Sequence, residues 1–124
     1  REVMSKDIVV LTDAVLITCI VQRGAGEAVV DAALHAGAQG ATSFFARGTG
    51  VRQRHLGVLG ITISDEKEVV YVIVPSDQAD YVFEKLYSIA KLDTPGMGIM
   101  YMTELEKMAT YIPPEIVAKL EAMK

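Results

Sequence analysis

Residues 26–50 read GEAVVDAALHAGAQGATSFFARGTG, and a helix, a stop, a strand and a glycine turn follow one another within this single stretch. Val29, Val30, Ala33 and Leu34 recur at helical spacing, so residues 27–36 are expected to form a helix with one apolar face suited to covering a sheet. Gly37 then acts as a helix terminator, because glycine takes the left-handed conformation that ends a helix. Residues 41–46 are an apolar run of strand length. Ala46-Arg47-Gly48-Thr49-Gly50 closes it. Glycines at a strand end let the backbone turn sharply and approach a ligand closely, and an arginine beside them supplies a planar positive fork for phosphate or carboxylate. The combination points to recognition of an anion or nucleotide at a strand end.

Working outward, residues 15–21 (VLITCIV) are rich in β-branched side chains and read as a strand. Residues 8–11 are a short edge strand or an extended lead-in. Arg23-Gly24-Ala25-Gly26 breaks the pattern before the first helix. A dinucleotide fingerprint would need a third glycine where Val29 stands, so this is a tight strand–helix turn. The helix N-terminus there favours an anion, to which Arg23 and the glycine amides are suited. On the C-terminal side, residues 51–57 read as a loop. Residues 58–63 and 69–74 read as two strands joined in a hairpin by the polar residues 64–68. Ser76 or Asp77 is placed to cap a second helix that runs to about residue 92, with Val82, Phe83, Leu86, Tyr87 and Ala90 on its apolar face. Residues 94–98 form a turn and residues 99–102 a short strand. Pro113-Pro114 starts a last helix over residues 115–123, since proline suits a helix's first turn.

The order β-α-β-β-α-β with right-handed crossovers specifies an α+β fold, a ferredoxin-like sandwich with one antiparallel sheet, helices on one face and a C-terminal helix. Three parts are expected: an N-terminal extension or edge strand (1–14), the ferredoxin-like domain (15–105) and a helical tail (106–124). In the first main strand Leu16, Thr18 and Ile20 alternate with Val15, Ile17, Cys19 and Val21, so both sheet faces are largely apolar. The helices cover one face, and self-association is the economical cover for the other.

The 124 residues carry 12 basic and 16 acidic side chains, a net charge of −4 that argues against a dedicated nucleic-acid binder. Arg47, Arg52 and Arg54 are the dense basic group. With His55, the loop arginines suit a phosphate, a carboxylate or bicarbonate, a protein partner, or simple solvation. The single cysteine, Cys19, lies in an apolar run. It has no internal disulfide partner, reads as buried and inert, and fits a reducing compartment. No apolar stretch reaches bilayer length and the N-terminus carries no signal-peptide pattern, so a cytoplasmic location is expected. Two histidines and one cysteine, widely spaced, make no zinc pattern, and His35 reads as a helix-end cap. Glu27, Asp31, Asp65, Glu66 and Glu68 read as helix-end or surface carboxylates. No nucleophile–base–acid set stands out, which argues against an enzyme.

Through ITCIVQ (17–22), the 26–50 stretch, ITISDEKEVVYVIVP (61–75) and DQADYVFEKLYSIAKLDTPGMGIMYM (77–102), the sequence resembles the PII-like signalling proteins over roughly residues 15–103. That resemblance implies a compact homotrimer of this fold. It also implies adenine-nucleotide sites in clefts between subunits, and a loop after the second strand (the T-loop) that reports occupancy to a partner enzyme or transporter. Gly48 and Gly50, with Thr49 between them, match the glycines where that strand meets the T-loop. Thr42 lies on the strand lining the adenine side. Gly96 and Gly98 match the glycines of the phosphate-facing B-loop, normally Gly-Asp-Gly-Lys. Here Met97 stands between them, and Ile99 takes the lysine's place. Met97 and Ile99 either contact the adenine or fill core space. Val51 stands where the family has a phosphate-binding arginine, with Arg52 next to it as a substitute. No C-terminal Arg-x-Arg follows the last strand, and Lys107 is the nearest basic residue.

These departures favour ADP or AMP over ATP, with bicarbonate a further candidate ligand. The implied contacts are Thr42, Arg47, Gly48, Thr49, Gly50, Arg52, Gly96, Met97 and Gly98. The T-loop is expected to be very short, with no modification tyrosine between Gly50 and Gly57, so uridylylation there is not expected. The implied role is a non-catalytic sensor in nitrogen metabolism, inorganic-carbon handling or membrane transport, with no nucleic-acid partner. The alternatives are a trimeric scaffold or metal-tolerance protein of the same fold with no nucleotide ligand, and a small enzyme on an anionic substrate, which would need an acid or base beside Arg47.

Overall fold

The computed structural model describes residues 2–4, 8–48 and 66–122. Its elements are β1 (Glu2–Met4), β2 (Ile8–Leu11), β3 (Ala14–Gln22), α1 (Gly26–His35), β4 (Gly40–Arg47), β5 (Glu66–Pro75), a 3-10 turn (Ser76–Gln78), α2 (Ala79–Ile89), β6 (Gly98–Leu105), β7 (Met108–Ala109) and α3 (Pro114–Ala122). The main sheet has the order β4-β5-β3-β6, and every neighbouring pair is antiparallel. This is the ferredoxin-like α+β arrangement that the β-α-β-β-α-β order specifies.

Residues directly opposed in an antiparallel pair share a face. Val15, Ile17, Cys19 and Val21 of β3 and Val70, Val72 and Val74 of β5 therefore point to one side. There they form the core with Val29 and Ala33 of α1 and Val82 and Leu86 of α2. Those helical positions are spaced by four residues, the period that keeps side chains on one stripe. The opposite face carries two cross-sheet rows, Thr42–Tyr71–Thr18–Tyr101 and Phe44–Val69–Ile20–Ile99. Phe44, Tyr71, Ile99 and Tyr101 are 41–48% exposed there. Phe44 and Tyr71 meet edge to face at 5.4 Å. Helices on one face and an open apolar face on the other are thus as expected.

Both helices end in the same backbone motif. Gly37, at φ +104°, donates to the Leu34 carbonyl (3.2 Å) and Ala38 donates to that of Ala33 (3.0 Å). After α2, Lys91 takes the left-handed position at φ +55°, with Lys91 N–H on Ser88 and Leu92 N–H on Tyr87, both at 3.2 Å. This closure stops α2 at Ile89, short of residue 92. Neither Ser76 nor Asp77 caps α2: they form the 3-10 turn, and the residue preceding α2 is Gln78, with no side-chain cap bond.

Other expectations are corrected by strand pairing. Glu66, Lys67 and Glu68 are not part of a hairpin connection but the first residues of β5, because Arg47 pairs with Glu66 and Phe45 with Glu68. Residues 48–65 therefore join β4 to β5, where a very short loop over 51–57 is expected. The strand expected at 58–63 and the loop at 51–57 lie outside the described residues. Strand β6 extends from Gly98 to Leu105, beyond 99–102, because β3 offers it partners along most of its length. Residues 8–11 do form a strand, but in a second sheet of order β1-β2-β7, where Leu11 pairs with Met108. The segment entering the fold and the segment leaving it are thereby joined.

Candidate functional site

The register brings four strand ends to one end of the main sheet. Arg47 lies opposite Glu66, Lys67 opposite Gln22, and Val21 opposite Gly98. Gly48, just past β4, and Gly96–Gly98, leading into β6, therefore share that end. They stand on the two outer strands, however, with β5 and β3 between them, a lateral separation of about 14 Å at ordinary strand spacing. A single subunit does not bring the two glycine turns together. Thr49, Gly50, Arg52, Arg54 and His55 lie outside the described residues.

The Gly96–Gly98 turn is built on backbone geometry. Gln22 Nε2 donates to the Gly96 carbonyl at 2.9 Å, tying the turn to the end of β3. Gly98 sits at φ +146°, and a Cβ there would press into the Ile20 carbonyl, so no other residue fits without moving β3. Met97 is half-buried, while Ile99 is on the open face and 48% exposed. Thr42 is exposed on the same open face, in the row of Tyr71. Arg47 is an odd number of residues away, so its side chain leaves β4 on the helix face, opposite Glu66. Thr42 and Arg47 thus belong to opposite faces of the sheet.

The helix N-terminus expected to attract an external anion is filled from within. Glu68, 8% exposed, places Oε1 where it accepts the Gly26 amide at 2.9 Å and the Gly24 amide at 3.1 Å. Gly26 is the first residue of α1 and its amide has no partner within the helix, while Gly24 lies in the turn before it; a carboxylate there also meets the positive end of the helix dipole. A Cβ at Gly26 would overlap this carboxylate, so the glycine is needed for contact rather than for backbone freedom. Glu68 is therefore not a surface residue but a buried carboxylate at the N-terminal end of α1. The signal was its parity: it alternates in step with Val70, Val72 and Val74, which face the helices. Glu66, two residues earlier on the same face, pairs with Arg23 at 3.0 Å, and both side chains are 54% exposed.

His35 Nδ1 donates to the Asp31 carbonyl at 2.8 Å, the helix-end role expected of it. Cys19 is fully buried, and burial pushes its thiol pKa up to about 12, so it is a poor nucleophile and a poor metal ligand. Among the described residues, no three His, Cys, Asp or Glu side chains cluster to hold a metal ion, and no helix is long and apolar enough to cross a membrane.

Comparison with known proteins agrees with this geometry. The chain has a fold similar to that of Arabidopsis thaliana PII bound to citrate, with a TM-score of 0.58 and 19% sequence identity over 77% of this chain and 79% of that one. No curated protein sequence matches significantly. The family model described as Nitrogen regulatory protein P-II matches residues 14–112, from the start of β3 to the approach of α3. With most of its length in that match, and the sheet order and glycine turns to go with it, this chain belongs to the P-II family.

Proposed function

We propose that this chain is a non-catalytic cytoplasmic sensor. It binds adenine nucleotide, ADP or AMP in preference to ATP, in clefts between the subunits of a homotrimer. In response it regulates a partner enzyme or transporter. The observation that carries this reading is the separation of the two glycine turns on opposite outer strands, beside an open face bearing Phe44, Tyr71, Ile99 and Tyr101. An apolar face of this kind favours association of copies. A neighbour packed on it brings its own glycine turn beside one that this subunit's other turn does not reach.

In such a cleft the backbone amides around Gly48 and Gly50 and around Gly96–Gly98 receive the phosphates. Arg52 adds charge, and the adenine rests between Thr42 and Met97. Ile99 and Val51 stand where the family's lysine and arginine would neutralise further phosphates, so the third phosphate of ATP gains least. Citrate on the Arabidopsis protein supports small anions as ligands of this fold, and bicarbonate is a second candidate here. Occupancy acts on a partner only by favouring one state of residues 48–65 or of the tail from residue 106, which requires different affinity for the two states.

The test is light scattering to establish the assembly, followed by isothermal titration with ATP, ADP and AMP, each with and without Mg²⁺ and bicarbonate. Saturable binding near one site per subunit, tighter for ADP or AMP than for ATP, is expected. An intact trimer that binds none of them at millimolar concentration overturns the proposal and leaves a scaffold of the same fold.

A further inference from the structure

We propose that Gln22 is a positioning residue for the Gly96–Gly98 turn, holding it so that the Gly96 amide becomes the turn's donor to a phosphate. This assignment rests on the nucleotide cleft proposed for the same turn. The turn begins with Thr94-Pro95-Gly96-Met97, in which the Met97 N–H donates to the Thr94 carbonyl at 3.3 Å and Gly96 sits at φ +82°. Proline second, glycine third and a positive φ at the glycine are the marks of a type II turn. The middle peptide of such a turn makes no bond within it, and its N–H is that of Gly96. Among the described residues no partner meets this amide, and Gly96 is half-buried.

The next peptide, between Gly96 and Met97, is used on both sides. Its N–H makes the turn bond to Thr94, and its carbonyl accepts Gln22 Nε2 at 2.9 Å. A glycine leaves its own dihedrals loosely determined, so the plane of this peptide is set by whatever holds its oxygen. Gln22 is the last residue of β3, a strand with a partner on each side. The bond therefore ties a glycine turn to the rigid centre of the sheet, across 74 residues of sequence.

Parity puts this hold on the side of the cleft. Gln22 follows Thr18 and Ile20 on the open face of the sheet, in register with Lys67. That is the face on which a second subunit packs in the proposed assembly. A donor fixed before the ligand arrives spares the ordering that binding otherwise requires. A phosphate at Gly96 then meets an amide already in place, whereas without Gln22 it must first order the turn. Loss of the Gln22 donor therefore weakens ligands that carry phosphate and spares the nucleoside, which makes no bond to Gly96.

The experiment compares wild type with Gln22→Met, which keeps the length of the side chain and removes its donor. The full chain of each, in its native assembly, is titrated calorimetrically with ADP, AMP and adenosine. Hydrogen exchange of the Gly96 amide is followed by NMR in wild type, with and without saturating ADP. In Gln22→Met, ADP and AMP are expected to bind about three- to tenfold more weakly, the worth of one neutral hydrogen bond, with adenosine within about twofold of wild type. In wild type, ADP is expected to slow exchange at Gly96. Unchanged affinity for ADP and AMP in Gln22→Met overturns the assignment. So does an equal weakening of adenosine, which marks a general structural role, or a Gly96 amide whose exchange is indifferent to ADP. A wild type that binds none of the three overturns the nucleotide proposal and this assignment with it, whereas a wild type that binds and a variant that binds equally well overturn this assignment alone.

Discussion

Removing the carboxylate of Glu68 tests whether an internal anion holds the first helix onto the sheet. Its Oε1 accepts amides at 2.9 and 3.1 Å from Gly26 and Gly24 while only 8% of the residue is exposed. Hydrogen bonds to a charged group are worth about 1.5–3 kcal/mol each, but the buried Gly26 amide alone is fully stranded by Glu68→Ala, whereas water reaches Gly24. The expected loss is therefore about 2–4 kcal/mol, including a few tenths from the helix dipole. Glu68→Gln keeps an acceptor oxygen and loses about 1 kcal/mol, chiefly from the charge.

Gly26 sharpens the test, because a Cβ there overlaps this same carboxylate. Gly26→Ala overpacks the wild-type site by about 1–3 kcal/mol. In the Glu68→Ala background the overlap is gone and the alanine's helix preference remains, so the substitution becomes neutral or stabilising by up to about 0.5 kcal/mol. The four proteins form a double-mutant cycle with an expected coupling of at least about 1 kcal/mol. Urea unfolding followed by far-ultraviolet circular dichroism measures it, at one fixed protein concentration because the proposed assembly would make stability concentration-dependent. A Glu68→Ala loss below about 0.5 kcal/mol, or a Gly26→Ala effect equal in both backgrounds, would refute the reasoning.

Three further outcomes are expected. Lys91→Gly relieves a side chain held at φ +55° and raises stability by about 0.5–1 kcal/mol, read as a higher melting temperature; a lower one would show that the lysine side chain matters more than its backbone strain. Cys19, with its thiol raised to about 12 by burial, stays unmodified by a thiol reagent from pH 7 to 9 in the folded protein and reacts at once in urea; fast native modification contradicts the burial. Tyr71→Arg places a charge in the middle of the open face and shifts the assembly towards monomer in light scattering, whereas an unchanged mass would move the contact elsewhere.

The fold was legible in the sequence because its signals are local. Val29 and Ala33 mark a helical stripe, VLITCIV marks a strand, and Gly37 marks a stop, and each reflects a preference of neighbouring residues. The glycines at 48, 96 and 98 were legible for the same reason, although Lys91 shows that a left-handed helix end need not carry one. Pairing across the chain was not legible. The polar run Ser64 to Glu68 has the composition of a turn, yet β4 and β3 draw its last three residues into the sheet by supplying backbone partners on both sides. Residues 8–11 became part of a second sheet only because Met108 and Ala109 return beside them.

The sequence by itself determined the helices and the central stretches of the four main-sheet strands and that one apolar face is left open, since periodicity and composition carry both. The tertiary structure alone decided where charge resides. Glu68 reads as a helix-end or surface carboxylate in a linear chain and becomes the buried anion beneath α1. Arg47 and Thr42, five residues apart, part to opposite faces because a strand sends alternate side chains to opposite sides.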